Sequence, residues 1–235
     1  SERDILEVSA SLTADAGRCN AAHVRMLPGM NGNGIRENLR EIRERMARAA
    51  ARAGRRPEEI TLIGVSKTHT AEAIREAFAA GVRHFGENRV QEWEGKRGAV
   101  ADLSATWHLV GHLQSNKAAR AVRLFDSVDS LDDAALAQRL DRARAEMAAA
   151  KKLRVLIEVR IAPEETKSGV AEAGLAALAE EICALPQLDL AGLMCIPPFL
   201  ADPEQVRPYF RRLRELRDAL AQRLGRPLAA LSMGM

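Results

Sequence analysis

The sequence alternates regularly between short apolar runs and amphipathic helical patterns, and this alternation constrains the fold more than any other feature. It starts at Ile35, where apolar residues begin to recur at helical spacing, and continues to the end of the chain. Seven of the apolar runs are predicted to be strands, at residues 60–65, 82–86, 107–111, 124–128, 153–161, 188–194 and 228–232. Because strands that alternate with helices usually pair in parallel, we expect one parallel sheet covered by helices.

The continuity of this alternation favours a closed barrel over an open sheet, because no change of composition divides the chain. We therefore predict an α/β fold, a TIM-like (β/α) barrel formed by residues 34–235 as a single domain. A doubly wound open sheet is the alternative. A closed barrel needs one more strand, so we expect the domain to be C-terminally incomplete, truncated before its last strand and helix. Residues 1–33 are polar and end in a Gly/Asn-rich stretch, and we expect a disordered N-terminal extension there.

Two sequence signals predict where long helices begin and end. Ser130 and Asp133 have the spacing of a capping box, which predicts a helix that starts at Ser130 and runs to about residue 150. Asp202 is predicted to cap a later helix, and Gly225 is predicted to end it.

Composition excludes several classes of function. The chain has 235 residues, of which 47% are hydrophobic, 29% charged and 3% aromatic, with a net charge of +3. Arginines alternate with Glu and Asp on helical faces and few aromatic residues are present to stack on bases, so we expect no nucleic-acid partner. No apolar run is long enough to span a membrane. Cys19, Cys183 and Cys195 are widely spaced and odd in number, which predicts free thiols and a cytoplasmic location.

Lys67 is a candidate functional residue because of its position in the sequence. It follows the apolar run 60–65 and precedes a helical pattern that starts after Thr70, so it lies at the carboxyl end of a strand. Active sites of parallel α/β folds collect at such ends. A lysine there can form a Schiff base with an aldehyde if burial or a neighbouring cation lowers its pKa. From position alone, the alternative is a solvated loop lysine.

Other candidate groups are weaker. His108 and His112 are four residues apart, but they lie on a strand and a loop and not on one helix, so we predict no metal site. His108 is expected to be a hydrogen-bonded core histidine, and Cys195 a buried inert thiol. The segment Ser232–Met235 follows a strand, where its small residues could bind a phosphate or form an ordinary turn.

Six short motifs occur in order along the chain. They are Val65–Thr68, Phe85–Asn88, Trp107–His108 with Gly111–Lys117, Lys167–Gly169, Gly192–Met194 and Ser232–Met235. Together they resemble the pyridoxal phosphate homeostasis proteins, the YggS/PROSC family, which is similar to the N-terminal barrel of alanine racemase. The resemblance covers residues 35–235 and says nothing about residues 1–33.

The resemblance implies a TIM-like barrel that holds pyridoxal 5′-phosphate (PLP) as a Schiff base on Lys67. Ser232 and Gly234 match a phosphate-binding turn of the family, and Asn88 matches a polar position near the cofactor. Lys167 matches a lysine that is discussed as a second PLP acceptor.

The family continues beyond this turn into a helix, an eighth strand, a second phosphate-binding segment and an arginine near the pyridine nitrogen. This sequence lacks them, so we expect this chain to bind PLP weakly or not at all. Many members also have Tyr where this chain has Arg89.

The function that the resemblance implies is intracellular PLP homeostasis and delivery, without catalysis by the protein itself and without catalytic residues. Its implied partners are PLP and apo forms of PLP-dependent enzymes, and we expect a monomer.

One alternative is a PLP-dependent amino-acid racemase, which needs two bases on opposite faces of the cofactor. The single tyrosine, Tyr209, lies in a helical pattern that is expected to pack outside the barrel. The other alternative is a Schiff-base aldolase that would use Lys67 without PLP.

Overall fold

Eight strands form a closed barrel in the computed structural model, which describes residues 7–13, 34–147, 149–161, 168–198, 200 and 203–234. The strands follow one another around the barrel in chain order. They are β1 (Glu7–Thr13), β2 (Ile60–Val65), β3 (His84–Glu87), β4 (Thr106–Leu109), β5 (Ser127–Leu131), β6 (Leu153–Glu158), β7 (Leu188–Cys195) and β8 (Ala230–Met233).

The parallel part of the barrel confirms the predicted fold class. β2 to β8 correspond to the seven predicted strands, and each pairs in parallel with the next. β1 pairs antiparallel with both β2 and β8. It lies within residues 1–33, so the structure has a strand at residues 7–13 where we expected disorder. The other residues of that segment lie outside the described residues, and the expectations for them and for a missing C-terminal strand and helix stay predictions.

Helices cover the outside of the barrel, and each buries an apolar face against it. They are α1 (Ile35–Arg52), α2 (Ala71–Ala79), α3 (Val90–Lys96), α4 (Ala118–Leu124), α5 (Ala134–Glu146), α6 (Glu172–Ala184) and α7 (Arg207–Leu224). In α1, Leu39 and Ile42 lie at the centre of the buried face. None of the helices in the described part of the chain combines the length and the apolar character that a membrane span needs.

One predicted helix start is wrong and one predicted helix end is confirmed. Asp133, and not Ser130, caps α5, because its carboxylate accepts a hydrogen bond from the Leu136 N–H at 2.8 Å. Ser130 belongs to β5, where its hydroxyl donates to the Gly111 carbonyl at 2.7 Å. Gly225 ends α7 in the left-handed conformation, with φ of 62°, as predicted. The predicted cap Asp202 lies outside the described residues.

Side chains along β3 and β4 alternate between the helices and the barrel interior, as strand geometry requires. The Phe85 and Trp107 rings face outward, since Trp107 stacks on both Phe85 and Trp93 of α3. His84 and His108 therefore face inward, where the His84 Nδ1 lies 3.1 Å from the His108 Nε2. This confirms His108 as a hydrogen-bonded core histidine that is 3% exposed.

A polar network continues from His108 across the barrel interior. The His108 Nδ1 lies 3.1 Å from the Asp129 carboxylate, which also accepts a hydrogen bond from the Ser127 hydroxyl. Arg154 donates to that hydroxyl from β6 at 3.2 Å.

Burial opposes the ionisation of Asp129, but His108 and Arg154 outweigh it and lower the pKa of Asp129. Burial, with His108 and Arg154 nearby, lowers the pKa of His84 to about 4. The interior is therefore partly polar, and the groups of this network hydrogen-bond one another.

The contact between β7 and β8 leaves no room for a side chain at Gly192. A Cβ atom at this position would lie 1.8 Å from the Ala230 carbonyl oxygen. We expect Gly192→Ala to lower the free energy of unfolding by about 3 kcal/mol or more, because the strand backbones must separate. Urea unfolding followed by circular dichroism measures the change.

Gly95 is the matched control, because it lies inside α3 with no atom within 4 Å of a Cβ built on it. Gly95→Ala should raise the free energy of unfolding by up to about 1 kcal/mol, through helix propensity alone. Equal effects of the two substitutions would contradict this account of β7–β8 packing.

Candidate functional site

Lys67 lies at the mouth of the barrel where the parallel strands end. It follows β2 by two residues, in the turn that connects β2 to α2, and its side chain is partly buried. The structure thus places it at a strand end, as predicted. Its role as a site residue stays a prediction at this point.

The turn that carries Lys67 has an unusual backbone. Thr68 adopts a φ of 62°, a left-handed conformation that costs a non-glycine residue about 1–3 kcal/mol. The Ser66 N–H donates to the Gly86 carbonyl at 2.8 Å, and the His69 N–H donates to the Ser66 carbonyl at 3.2 Å. A strained turn of this kind persists only where surrounding groups determine its conformation.

A buried ion pair lies directly behind this turn. Glu87, at the end of β3, is 0% exposed, and its Oε1 atom lies 2.8 Å from the Lys96 Nζ at the end of α3. The Ser66 hydroxyl donates to the same Glu87 oxygen at 2.6 Å. The Lys96 ammonium also donates to the Ser66 carbonyl at 2.6 Å. The ion pair therefore connects α3 and β3 to the residue before Lys67.

The carboxylate of Glu92 adds a further contact to the turn. Its Oε1 accepts a hydrogen bond from the Thr68 N–H at 2.5 Å and lies 3.1 Å from the Lys96 Nζ. Partial burial opposes the ionisation of Glu92, but these two hydrogen bonds lower the pKa of its carboxyl group. Glu87 behaves differently, because burial raises its pKa despite the hydrogen bonds from Lys96 and Ser66. Both carboxylates contact residues next to Lys67.

The other predicted site residues lie at the same mouth. Asn88 directly follows β3, the neighbour of β2, and its backbone is so close to Gly111 that a Cβ there would lie 2.5 Å from the Asn88 carbonyl oxygen. Ser232 lies near the end of β8 and shares the inward face of Ala230, which packs inside the barrel with Leu156. β1 separates β8 from β2.

The Gly234 amide already has a partner at this mouth. Its N–H donates to the Cys195 carbonyl at 3.1 Å. A phosphate at this turn would therefore contact the Ser232 hydroxyl more readily than the Gly234 amide. Cys195 is buried, and burial raises the pKa of its thiol well above the usual range, which fits the expected inert thiol.

Sequence reasoning missed a pair of carboxylates at the ends of β5 and β6. Glu158 is 3% exposed, and its Oε1 accepts a hydrogen bond from the Ser168 hydroxyl at 2.8 Å. Among the described residues, the Glu158 Oε2 and the Asp132 Oδ1 are buried without a hydrogen-bond partner. Burial and the nearby Asp132 raise the pKa of Glu158. A glutamate within the predicted strand 153–161 was the available signal. The predicted acceptor Lys167 lies outside the described residues.

The structure offers no metal centre in the described ranges. His112 lies 3.4 Å from Asp132, but no cluster of three or more potential metal ligands occurs there. Together, the groups at the mouth are a primary amine, a hydroxyl, amide groups and acidic side chains. Such a set can bind an aldehyde that carries a phosphate, because an amine condenses with an aldehyde and a hydroxyl donates to a phosphate.

Comparisons with known proteins point to one family. Residues 31–235 match the family model described as alanine racemase, N-terminal domain. The chain is 43% identical to the pyridoxal phosphate homeostasis protein of Aquifex aeolicus over 199 residues, which are 85% of this chain and 86% of that protein. It is 45% identical to the protein of the same name from Pseudomonas aeruginosa over 201 residues, covering 86% and 85%. PipY of Synechococcus elongatus, solved with PLP bound, is 37% identical with a TM-score of 0.70, covering 83% of this chain and 85% of PipY.

The raised pKa of Glu158 predicts how stability depends on pH. The folded state holds the Glu158 proton more tightly than the unfolded state, so this residue stabilises the fold below pH 4.5 and loses that contribution as the pH rises through its folded pKa. Above it, a charged carboxylate with an unpaired oxygen stays buried. Glu158→Gln should raise the melting temperature at pH 8 by about 2–4 °C, or about 1 kcal/mol, and by less at pH 5.

Glu58→Gln provides the control, since Glu58 is exposed on a surface turn. Its melting temperature should follow that of the unsubstituted protein at both pH values. If Glu158→Gln raised the melting temperature less at pH 8 than at pH 5, compared with the unsubstituted protein, this would contradict a raised pKa for Glu158.

Proposed function

Because this chain belongs to the alanine racemase N-terminal domain family, we propose that it binds PLP as a Schiff base on Lys67. The cofactor-binding domain is residues 34–235, and β1, from the preceding segment, adds the strand that closes its barrel. The protein serves intracellular PLP homeostasis and delivery in the cytoplasm, and it does not catalyse a reaction of its own.

The observation that carries this proposal is the position of Lys67 at the mouth of a parallel barrel, in a turn whose conformation is fixed by the surrounding groups. Relatives that share 43–45% of their residues with the chain are named pyridoxal phosphate homeostasis proteins. PipY, which has the same fold, binds PLP. Lys67 is the amine that both strand position and motif select in this chain.

The residues at the mouth fit the chemical groups of PLP. PLP supplies an aldehyde, whose carbon forms a bond with the Lys67 nitrogen while the aldehyde oxygen leaves as water. The inward-facing Ser232 hydroxyl, near the end of β8, donates to the phosphate. Asn88 offers a polar group directly after β3, the strand next to β2. Gly234 contributes a turn without a side chain, which leaves room for the phosphate.

A racemase is less well supported than a carrier. Tyr209 lies in α7 on the outside of the barrel, so it is not placed as a base opposite Lys67. The acidic groups that contact the turn of Lys67, Glu87 and Glu92, are engaged with Lys96. We therefore assign no catalytic residue. Apo forms of PLP-dependent enzymes are the proposed recipients, and the protein acts as a monomer.

The proposal predicts a coloured protein. Incubated with saturating PLP and freed of excess ligand, it should absorb at about 420 nm, as protonated Schiff bases of PLP do. Lys67→Ala should lose most of this band, since the bond-forming amine is removed. Lys152→Ala should keep it, because Lys152 is exposed at the opposite end of the barrel, before β6.

Two results would contradict the proposal. A colourless protein at saturating PLP would exclude both carrier and racemase, and would leave the aldolase alternative. A coloured protein that exchanges the α-proton of L-alanine at enzymatic rates in heavy water would favour the racemase.

A further inference from the structure

Lys96 contacts the turn that carries Lys67 more extensively than a simple ion pair requires. Its Nζ lies 2.8 Å from Glu87 Oε1 and 3.1 Å from Glu92 Oε1, and it donates to the carbonyls of Ser66 at 2.6 Å and His69 at 3.4 Å. The Lys96 side chain is only 14% exposed. These contacts place one ammonium group among four oxygen atoms.

Two of these contacts bracket Lys67 along the chain. The Ser66 carbonyl precedes it, and the His69 carbonyl follows it two residues later. Between them, the Thr68 N–H is held by Glu92, whose carboxylate also contacts Lys96. Side chains of α3 therefore bind three backbone groups of a four-residue turn. This turn contains the left-handed Thr68, so its conformation depends on those side chains.

We propose that Lys96 is a positioning residue for Lys67: its ammonium group fixes the turn Ser66–His69 and so holds the Lys67 amine where it reacts with the PLP aldehyde. The effect of Lys96 on the reaction with PLP rests on the proposed function, whereas its effect on the turn rests on the contacts of Lys96 alone. An arginine would not replace Lys96, because a planar guanidinium cannot direct its donors to four oxygens around one point.

A purely structural role is the competing explanation. Glu87 is fully buried, and Lys96 could serve only to neutralise it. The two explanations differ in a double variant. Glu87→Gln with Lys96→Met removes both charges of this pair, so the fully buried Glu87 does not stay charged without a partner, yet no ammonium group binds the Ser66 and His69 carbonyls.

The test uses Lys96→Met, the double variant and Lys152→Met as a matched control at an exposed lysine. Three quantities are measured: the melting temperature, the hydrogen-exchange rates of the Thr68 and His69 amides without PLP, and the rate at which the 420 nm band forms with PLP. Lys96→Met should lower the melting temperature, raise both exchange rates by about tenfold or more, and slow band formation by about tenfold to a hundredfold.

The double variant is expected to recover the melting temperature while exchange stays fast and band formation stays slow. Recovery of all three quantities would overturn the inference, because charge neutralisation would then explain Lys96. Unchanged exchange at Thr68 and His69 in both variants would overturn it as well. An unsubstituted protein that forms no band would contradict the proposed function instead, and the exchange rates would still decide whether Lys96 holds the turn.

Discussion

Parallel pairing of β2 to β8 is the constraint on which the rest of the structure depends. It brings seven carboxyl strand ends to one mouth, where active sites of such folds collect. The strands are short and their outward residues are apolar, as in Phe85 and Trp107, so helices must cover them. Because packing fixes the strands, the turn after β2 starts from a rigid base, and Lys67 lies two residues beyond it.

The chemistry at this mouth depends on charges that are held out of water. Glu87 and Lys96 form a buried pair, and a buried pair stabilises a fold only where further hydrogen bonds satisfy both groups. Here Ser66 donates to one Glu87 oxygen and the turn carbonyls accept from Lys96, whereas the Glu87 Oε2 is buried without a hydrogen-bond partner among the described residues. The pair therefore couples the outer helix α3 to the turn, at a cost in stability that an apolar pair would not have. We interpret this cost as the requirement of a site that must hold one amine in place.

The sequence allowed the fold and the place of Lys67 at a strand end to be predicted, because both depend on local patterns. Strand period, helix period and the position of Lys67 after an apolar run are visible without any knowledge of distant contacts. The start of β5 was misplaced, since Leu124 and Phe125 are apolar but end a helix, and the strand begins at Ser127. Ser130 was mistaken for a cap because β5 is longer than its apolar pattern.

The contacts between Lys96 and the turn that carries Lys67 could not be predicted, for a different reason. Lys96 lies 30 residues from Ser66, and its spacing from Glu92 is that of an ordinary solvated helix pair. Only the packing of α3 against the end of β3 reveals that its ammonium group is buried among turn carbonyls. The orphan oxygen of Glu158 is hidden in the same way, because burial and not residue type distinguishes it.

The central claim is that one amine, that of Lys67, holds PLP at the mouth of the barrel. Reduction of the PLP-loaded protein with borohydride converts the Schiff base into a stable amine, and peptide mapping by mass spectrometry then identifies the modified lysine. The account predicts one phosphopyridoxyl group, on the peptide that contains Lys67. A label spread over several lysines in the unsubstituted protein, or confined to a lysine other than Lys67, would contradict it.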